Sequence, residues 1–537
     1  MRATLIVLIL SVCCLCQAQK TYYVAATNGK NSNPGTKDSP WATLVFAVGN
    51  VERGDTIYLL PGTHNIDIQV RVPEGVNITG AGETSIIHSN ITGQWGITLL
   101  YHSSREGTKG NQSLSYVKLD GGNATAWQAV QVNARSNVEI HHVTVEHFFF
   151  QGIIISGTVS QADAPQIYAT GNSVHDCTFN DCSDYSAENG QGQLMIGGQD
   201  GILIYNNSFI QTSRSYRRNG YNLKYYSNGH FRGMKIYNNT FVRAVDTTNY
   251  AYYDFSMELW AIEGGCEIYN NTMTGGIDLC ANPSRGGNPL SVLPGNYGYG
   301  VKVYNNIIGP ADTAIVPNTT GIYLEFNTDN VLIERNLIRN VKEGIVFTPS
   351  PGGSTKNITI RYNIIRNISD YAIYNLNHGV KRVASNISIY NNVFYVPEKQ
   401  RNLFGVAIFT IGKADHINIS NNIFQGFDYA AIYGNGSEGQ TVDHLTIRNN
   451  ILFKNGSYNN IELVKITPTN FINDGNLKDD PKFCTQNNFH LKRNSPAIRA
   501  GVKIEDNLLD FDGVKVGNRP NIGCYETIEG TKRPENR

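Results

Sequence analysis

The stretch "MKIYNNTF", residues 234–241, is one copy of a short unit that recurs along the chain. Close copies read "LIYNNSF", "EIYNNTM" and "KVYNNII", and looser copies read "LIERNLI", "TIRYNII", "SIYNNVF", "NISNNIF" and "TIRNNIL". The asparagine that ends the central pair of each copy lies at Asn207, Asn239, Asn271, Asn306, Asn336, Asn363, Asn392, Asn422 and Asn450. Successive intervals are 32, 32, 35, 30, 27, 29, 30 and 28 residues. A period near thirty residues indicates a repeat architecture.

Each copy places asparagine between two short apolar runs. The apolar residues alternate with period two, which predicts strands and not helices. Asparagine tolerates left-handed backbone, and its amide can hydrogen-bond along a stack. The sequence therefore predicts an all-β fold, a right-handed parallel β-helix, with Asn207 to Asn450 in one internal line. An antiparallel sandwich or a propeller is the alternative, which the variable spacing and the lack of a four-strand blade pattern disfavour.

Composition and the N-terminal residues indicate a neutral, secreted protein. The 537 residues include 44 basic and 44 acidic side chains, which gives no charge excess to attract nucleic acid or an anionic membrane. Residues 1–18, "MRATLIVLILSVCCLCQA", place a basic residue before an apolar run and end in small residues, which predicts a signal peptide. We therefore expect an extracellular or periplasmic protein. No later stretch is long and apolar enough for membrane insertion.

The cysteines after residue 18 are even in number, which permits disulfides between sequence neighbours in a secreted chain. Structural thiols are the other interpretation, and no cysteine spacing matches a zinc site. These cysteines are Cys177, Cys182, Cys266, Cys280, Cys484 and Cys524.

The two ends of the chain differ from the repeats. Residues 22–64, "YYVAATNGKNSNPGTKDSPWATLVFAVGNVERGDTIYLLPGTH", predict a strand, a loop, a short helix near "WATLVFAVGNV" and another strand. We predict an N-terminal cap over 19–64, β-helix repeats over 65–470 and a closing segment over 471–537. The first segment and the closing "DPKFCTQNNFHLKRNSPAIRAGVKIEDNLLDFDGVKVGNRPNIGCYE" resemble the ends of secreted parallel β-helix proteins of the pectate-lyase-like superfamily. That resemblance implies the fold, but the superfamily includes lyases, hydrolases, esterases, epimerases, adhesins and inert spikes.

A second strand precedes each asparagine, and its third residue is predicted to form an outward column across the coils. The column reads Ile154, Met195, Lys224, Glu258, Asp278, Tyr323, Val346 and Tyr374, and a parallel column reads Tyr226, Trp260, Cys280, Glu325 and Thr348. Adjacent coils stack at about 4.8 Å, so Glu258 and Asp278 are predicted to lie on one face, one coil apart. Two carboxylates at that separation repel, which separates their pKa values as acid/base chemistry requires.

Long insertions at 210–221, 242–254 and 281–300 interrupt the repeat near this polar column and predict the walls of a cleft. The insertions contain Arg214, Arg217, Arg218, Tyr250, Tyr252, Tyr253 and Arg285, which suit sugar rings and acidic sugar groups. Trp260 is predicted to be an exposed aromatic on the cleft floor. Further predicted substrate contacts are Tyr226, Tyr323, Glu325, His230 and Arg232. The predicted partner is a polysaccharide or oligosaccharide.

Three functions remain open from the sequence. In a glycoside hydrolase, Glu258 and Asp278 share the roles of acid and nucleophile or base, and this interpretation names no cofactor. Their one-coil separation suits a retaining enzyme, whereas Glu258 and Glu325, two coils apart, suit an inverting one. In a polysaccharide lyase, Lys224 is the base, while Glu258 and Asp278 bind Ca²⁺. The resemblance to the pectate-lyase-like superfamily implies this possibility, because lyases of that fold use a lysine or arginine base with calcium. The third is a carbohydrate-binding or adhesive solenoid, in which the column is only a solvated row of charges. The hydrolase is the preferred interpretation.

Overall fold

The computed structural model describes residues 19–91, 96–122, 126–158, 165–183, 191–212, 221–227, 229–243, 255–281, 300–311, 315–325, 328–348, 354–375, 383–397, 403–410, 413–456 and 460–526. Within these ranges, 41 strands join in one hydrogen-bonded network of parallel pairs. Each strand pairs with the equivalent strand of the next coil, which gives a right-handed parallel β-helix. The predicted fold class is confirmed.

Three sheets, here called A, B and C, run along most of the solenoid. Sheet A precedes the asparagine corner and contains Ser173–His175, Leu203–Tyr205, Lys235–Tyr237, Cys266–Tyr269, Val301–Tyr304, Thr328–Glu334, Ser354–Arg361, Val383–Tyr390, Lys413–Ser420, the second part of Ala430–Arg448, and Ile472–Asp474. Sheet B follows the corner and contains Thr178–Asn180, Ser208–Gln211, Thr240–Arg243, Thr272–Met273, Ile307–Ile308, the first part of Leu337–Thr348, Ile364–Ile368, Val393–Tyr395, Ile423–Gln425 and Ile451–Phe453.

Sheet C carries the predicted polar column. It contains Phe148–Ser156, Gly192–Gly197, Tyr221–Tyr225, Phe255–Gly264, Gly276–Ala281, Val316–Glu325, the second part of Leu337–Thr348, Tyr371–Asn375, Phe404–Thr410, the first part of Ala430–Arg448, and Ile461–Thr469. Short strands Ala169–Thr170, Gln199–Asp200 and Phe231–Arg232 lie beyond it. The N-terminal coils contain Thr21–Val24, Thr56–Leu59, Gly62–Ile66, Val70–Arg71, Asn77–Gly80, Ser85–Ser89, Thr98–Asp120 and Ala126–Glu146.

The corner between sheets A and B is a ladder of buried asparagine amides. Asn239 is typical: its Nδ2 donates to Asn271 Oδ1 at 3.0 Å and to the Ile204 carbonyl at 3.0 Å. Its backbone N–H donates to the same Asn271 oxygen. The preceding residue, Asn238, has a φ of 55°, so the first asparagine of the pair turns the chain and the second one stacks. The predicted line of Asn207 to Asn450 is confirmed, and the ladder continues to Asn476.

The interior of the solenoid is filled by stacked apolar side chains, one layer for each coil. Phe179, Phe209 and Phe241 stack with ring centroids 4.6 and 4.8 Å apart, and all three are fully buried. Burial of such rings is a large part of the hydrophobic stabilisation of each coil. Because similar apolar residues repeat at the coil spacing, one continuous core runs along the solenoid axis.

The ends of the solenoid are covered differently. The helix Leu44–Val48 is capped by Thr43 and buries Leu44 and Ala47. A 3-10 turn follows at Gly82–Thr84. Parallel pairing already begins inside the predicted cap segment, because Thr21–Val24 pairs with Thr56–Leu59. The closing segment forms an antiparallel hairpin, Phe483–Thr485 with Asn488–Leu491.

This closing segment packs along the outside of sheet B and not only over the last coil. Ile364, Val393, Ile423 and Ile451 form an outward row that the segment covers with Phe489, Leu491 and Ile522. Asn391 and Asn421 donate to the backbone of the segment, at Asn521 and Val502 respectively. Sheet B is therefore apolar on both faces over these coils.

The neighbouring cysteines are not bridged. Cys177, Cys182, Cys266 and Cys524 are buried free thiols, so of the two interpretations left open by the sequence the structural thiols hold for them. The Cys177 and Cys182 thiols occupy the interior and lie against backbone carbonyls, those of His175 and Val145 for example. Burial raises the pKa of Cys177 to about 12, which keeps it protonated. Among the described residues, no helix is long and apolar enough to span a membrane.

We expect the Asn363→Ala variant to lose roughly 3 kcal/mol of unfolding free energy. The substitution leaves the Ile333 carbonyl and the Asn336 N–H buried without their partner, and each such group costs about 1–3 kcal/mol. Asn494→Ala, an exposed position outside the ladder, is the matched control and is expected to change stability by less than about 0.5 kcal/mol. Thermal and denaturant unfolding measure both. Equal stability of the two variants would contradict the role assigned to the ladder.

Candidate active site

The predicted polar column exists in sheet C. The register pairs Ile154 with Met195, Met195 with Lys224, Lys224 with Glu258, Glu258 with Asp278, Asp278 with Tyr323, Tyr323 with Val346 and Val346 with Tyr374. The alternate residues of the same strands, such as Leu223 and Met257, are fully buried in the core. Because side chains alternate between the faces of a strand, Lys224, Glu258 and Asp278 lie on the outer face.

Lys224 and Glu258 form an ion pair across two adjacent coils. The lysine Nζ contacts Glu258 Oε2, and each side chain is only 9 % exposed. The ammonium group also lies over the Tyr221 ring at 4.3 Å and the Tyr225 ring at 4.8 Å. Such cation–π contacts help to compensate the loss of water around a buried cation. These charges are therefore not a solvated row, and the pair holds Glu258 in place.

Asp278, the next carboxyl of the column, favours its protonated form. It is 5 % exposed, and none of the described residues donates a hydrogen bond to its buried Oδ1. Burial raises the pKa of Asp278 well above its ordinary value, and the negative charges of Glu325 and Glu258 raise it further, while Lys224 opposes them. The protonated, uncharged carboxyl is therefore favoured at this position. Neighbouring coils thus bring together an ion-paired carboxylate and a carboxyl that retains its proton.

Trp260 does not form an exposed platform. It is 8 % exposed and stacks on Tyr225, with ring centroids 4.4 Å apart and planes 15° apart. The prediction of an exposed ring on the cleft floor is wrong, because Trp260 is covered by Tyr225. The strand bends at Ala261, whose φ is 54°, and the register shifts between Leu259 and Ile262. A straight extension of the column therefore misplaces the residues after Leu259.

Tyr323 and Glu325 lie beside the carboxylate pair. Tyr323 is the register partner of Asp278, and its ring centroid lies 5.7 Å from that of Phe255. Glu325 pairs with Thr348 in the next coil and is partly exposed. It is close enough to Asp278 to raise the pKa of that carboxyl. Both residues therefore border the carboxylate pair, and their contact with a substrate stays a prediction.

His230 and Arg232 belong to a separate cluster around Glu263. Glu263 Oε1 accepts from Tyr168 at 2.6 Å and lies 2.9 Å from His230 Nδ1, while Arg232 Nε donates to Oε2 at 2.6 Å. Burial alone would raise the pKa of Glu263, but the bonds from His230, Tyr168 and Arg232 lower it below its ordinary value. Within the described residues, neither His230 nor Arg232 contacts the carboxylate pair.

Sequence reasoning misses Glu263 and Tyr168. Tyr168 precedes Glu263 by 95 residues and lies outside the repeated strands, so no spacing connects the two. Glu263 lies beyond the bend at Ala261, where period-two counting from Glu258 fails. The sequence does give one signal in "HFR", residues 230–232. His230 and Arg232 are both basic, so they would need an acidic partner if they were buried.

The predicted cleft walls fall largely outside the described residues. Positions 213–220, 244–254 and 282–299 contain the arginines and tyrosines of the three insertions. Their placement stays a prediction. At the described base of one insertion, the Arg243 guanidinium lies 5.1 Å from the Tyr221 ring, next to the Lys224 site.

Two groups of potential metal ligands converge among the described residues. They are Asp120, Glu146 and His147 in one group, and Asp415, His416 and His444 in the other. Neither group includes a residue of the polar column. In the column, the Lys224 ammonium already contacts one oxygen of Glu258. A calcium ion, which prefers several charged oxygens, would have to displace that ammonium, so the column does not fit calcium.

No protein-family model matches the chain, and no curated protein matches it. Solved structures do match. The catalytic domain of Agl-KA has 15 % identity and a TM-score of 0.43, over 67 % of this chain and 63 % of that one. Pectate lyase Pel9A has 15 % identity and a TM-score of 0.31, over 95 % and 96 %. The tailspike of E. coli bacteriophage HK620, solved with a pentasaccharide, has 13 % identity and a TM-score of 0.40, over 76 % and 66 %. At these values, the fold assignment rests on the strand pairing of this chain itself.

We expect the stability difference between the wild type and Asp278→Asn to depend on pH. Because the pKa of Asp278 is higher in the folded chain than in the unfolded chain, the wild type loses stability as pH rises from about 4 through the folded pKa. Asparagine resembles the uncharged carboxyl and does not titrate, so the variant gains relative to the wild type over that range. Melting temperatures of both proteins between pH 4 and 9 measure the effect. A difference that is constant with pH would contradict the assigned protonation.

Proposed function

We propose that the chain is a secreted, polysaccharide-degrading glycoside hydrolase in which Asp278 is the proton donor and Glu258 is the charged partner. The observation that supports this proposal is the pairing of an uncharged carboxyl with an ion-paired carboxylate on adjacent coils. Glycosidases use such a pair, with one group protonated and the other ionised, on either side of the bond that breaks. Secretion follows from the sequence of residues 1–18 and suits a polymer substrate.

In the proposed reaction, the Asp278 carboxyl donates its proton to the glycosidic oxygen as the bond to the anomeric carbon breaks. The Glu258 carboxylate attacks that carbon, and a water molecule, deprotonated by Asp278, later releases the sugar and restores both groups. Adjacent strands are about 4.8 Å apart, which is near the carboxylate separation of about 5–5.5 Å in retaining enzymes. Lys224 positions the Glu258 carboxylate through their contact. The proposed stereochemical outcome is therefore retention.

Aromatic side chains on sheet C support a saccharide ligand. After Tyr323, the column continues through Val346, Tyr374 and Ala407 in the following coils. Tyr371 stacks on Tyr374 at 4.1 Å, which adds to this row. Tyrosine offers an apolar ring face and a polar hydroxyl, which together suit the apolar and hydroxylated sides of a sugar. A chain of sugars along the solenoid axis would thus meet the carboxylate pair and this row.

A lyase fits the geometry less well. A lysine base must reach the proton that it removes from the substrate, but the Lys224 Nζ is already engaged by Glu258. A calcium ion would also compete with Lys224 for Glu258. In a purely binding solenoid, no reaction requires a carboxyl that retains its proton at the centre of the column. The proposed hydrolase reaction uses both the ion pair of Lys224 with Glu258 and the protonated carboxyl of Asp278.

We expect Glu258→Gln and Asp278→Asn each to reduce turnover by at least about 10²-fold on the native polysaccharide. The first variant cannot attack or accept a proton, and the second cannot donate one. Glu462→Gln is the matched control: Glu462 is the register partner of Tyr433 on sheet C, several coils beyond the pair, and activity should stay near the wild-type value. Reducing-sugar release from a panel of plant and algal polysaccharides measures turnover, and thermal melts confirm folding.

The products distinguish the three functions. Saturated reducing ends, with no effect of a calcium chelator, are expected for the hydrolase. Unsaturated ends that absorb in the near ultraviolet, together with loss of activity in Lys224→Met and dependence on calcium, would establish the lyase instead. Binding without any product would establish the binding solenoid. Normal turnover in both carboxamide variants would contradict the site assignment itself.

A further inference from the structure

An Asp-His pair occurs twice at equivalent positions of neighbouring coils. The stretches are "ADHINI", residues 414–419, and "VDHLTI", residues 442–447, so the pair repeats after 28 residues. The register of sheet A pairs Asp415 directly with Asp443. His416 and His444 therefore follow on the same edge, one coil apart. The column of Lys224, Glu258 and Asp278 lies on sheet C, so this pair is separate from the proposed active site.

The two histidines replace asparagines at a tight corner. Both have left-handed backbone, with φ of 50° at His416 and 52° at His444. In the two preceding coils, the register places Asn357 and Asn386 at this corner, each with a φ of 54°. Asparagine and histidine are both among the residues enriched in this conformation, so either one can form the corner. The corner therefore changes from an amide ladder to stacked imidazoles, whose ring centroids are 4.2 Å apart and whose planes differ by 12°.

The nitrogen and oxygen atoms of this corner converge. His416 Nδ1 lies 2.6 Å from Asp415 Oδ1, and His444 Nδ1 lies 3.7 Å from the same oxygen. That oxygen is buried, and no described residue donates a hydrogen bond to it in acceptable geometry. The ligand atoms of Asp415, His416 and His444 all lie within 4.8 Å of one another. One cation could therefore contact all three and satisfy the buried oxygen.

Asp443 lies immediately behind these ligands. Its Oδ2 is 3.1 Å from His444 Nδ1, and its Oδ1 accepts from Thr469 at 2.6 Å and from Asn470 at 2.8 Å. Asp443 therefore contacts the same imidazole nitrogen of His444 that faces Asp415. The aspartates at this corner form ion pairs only with the two histidines, among the described residues. The local charge thus favours a cation.

The other convergent group provides a contrast. At Asp120, Glu146 and His147, the Lys118 ammonium already contacts Glu146, and His88 Nδ1 lies 2.8 Å from Asp120. Its carboxylates are therefore compensated by side chains of the protein. A metal ion would have to displace a lysine there, which makes this group a suitable internal control.

We propose that Asp415, His416 and His444 bind one divalent transition ion of the zinc type, which joins two neighbouring coils. Two imidazole nitrogens and one carboxylate oxygen suit Zn²⁺, with water in the fourth position, whereas calcium requires oxygen ligands. Imidazole ligands also bind Co²⁺ and Ni²⁺, so these ions serve as probes. The ion would cross-link the coils and stabilise the folded chain, because the unfolded chain does not hold the three ligands together.

The test uses the untagged full chain after treatment with a chelator and dialysis. Titration calorimetry with ZnCl₂ is expected to show one saturable equivalent, and CoCl₂ is expected to give the visible absorption of a bound ion. Zinc is also expected to raise the melting temperature. His416→Asn and His444→Asn should each weaken zinc binding by more than about tenfold. Asparagine keeps the left-handed corner that Asn357 and Asn386 already adopt, so both variants are expected to fold.

His147→Asn is the matched control, since His147 has a φ of 60° and belongs to the compensated group. It should bind zinc as the wild type does. The proposal would be overturned if the wild type shows no saturable binding, or if the double variant His416→Asn/His444→Asn binds normally. Loss of binding in His147→Asn alone would place the ion elsewhere, and displacement of zinc by equimolar calcium would indicate an all-oxygen site. None of these outcomes depends on polysaccharide turnover.

Discussion

The hydrogen bond from one asparagine amide to the next, repeated from Asn207 to Asn476, fixes the register of the coils that contain the candidate site. Each amide accepts from the backbone and side chain of the preceding coil and donates to the following one, as Asn239 does between Asn207 and Asn271. A slip of one residue would move the core side chains to the outer face and leave buried amides without partners. Because the ladder prevents such slips, residues that are far apart in sequence meet reliably on sheet C.

The sequence therefore predicts the column well where the repeat is regular. Lys224, Glu258 and Asp278 are placed correctly because the strand segments around them pair in unbroken register. The prediction fails after Leu259, where the left-handed Ala261 bends the strand and brings Trp260 against Tyr225. A local backbone conformation of this kind leaves no periodic signal.

Contacts that leave the repeat are also absent from the sequence pattern. Tyr168 reaches Glu263 from a short segment between sheets, and Glu505 reaches Tyr390 and Arg361 from the closing segment. Such pairs depend on where an irregular segment returns to the solenoid, which is a tertiary outcome. The burial of Lys224 and Glu258 is similar: alternation gives the face on which they lie, but not how much water reaches them.

The closing segment has an evolutionary consequence. It is tied to successive coils of the C-terminal half, through Asn391, Asn421 and Asn449, whose amides donate to its backbone. Solenoids commonly lengthen by duplication of a whole unit, because each unit contacts only its neighbours. A unit inserted among these coils would change the distance that the segment must span, whereas one inserted nearer the N-terminus would not. Related chains should therefore differ in the number of coils in the N-terminal half and keep the same number of coils in the C-terminal half.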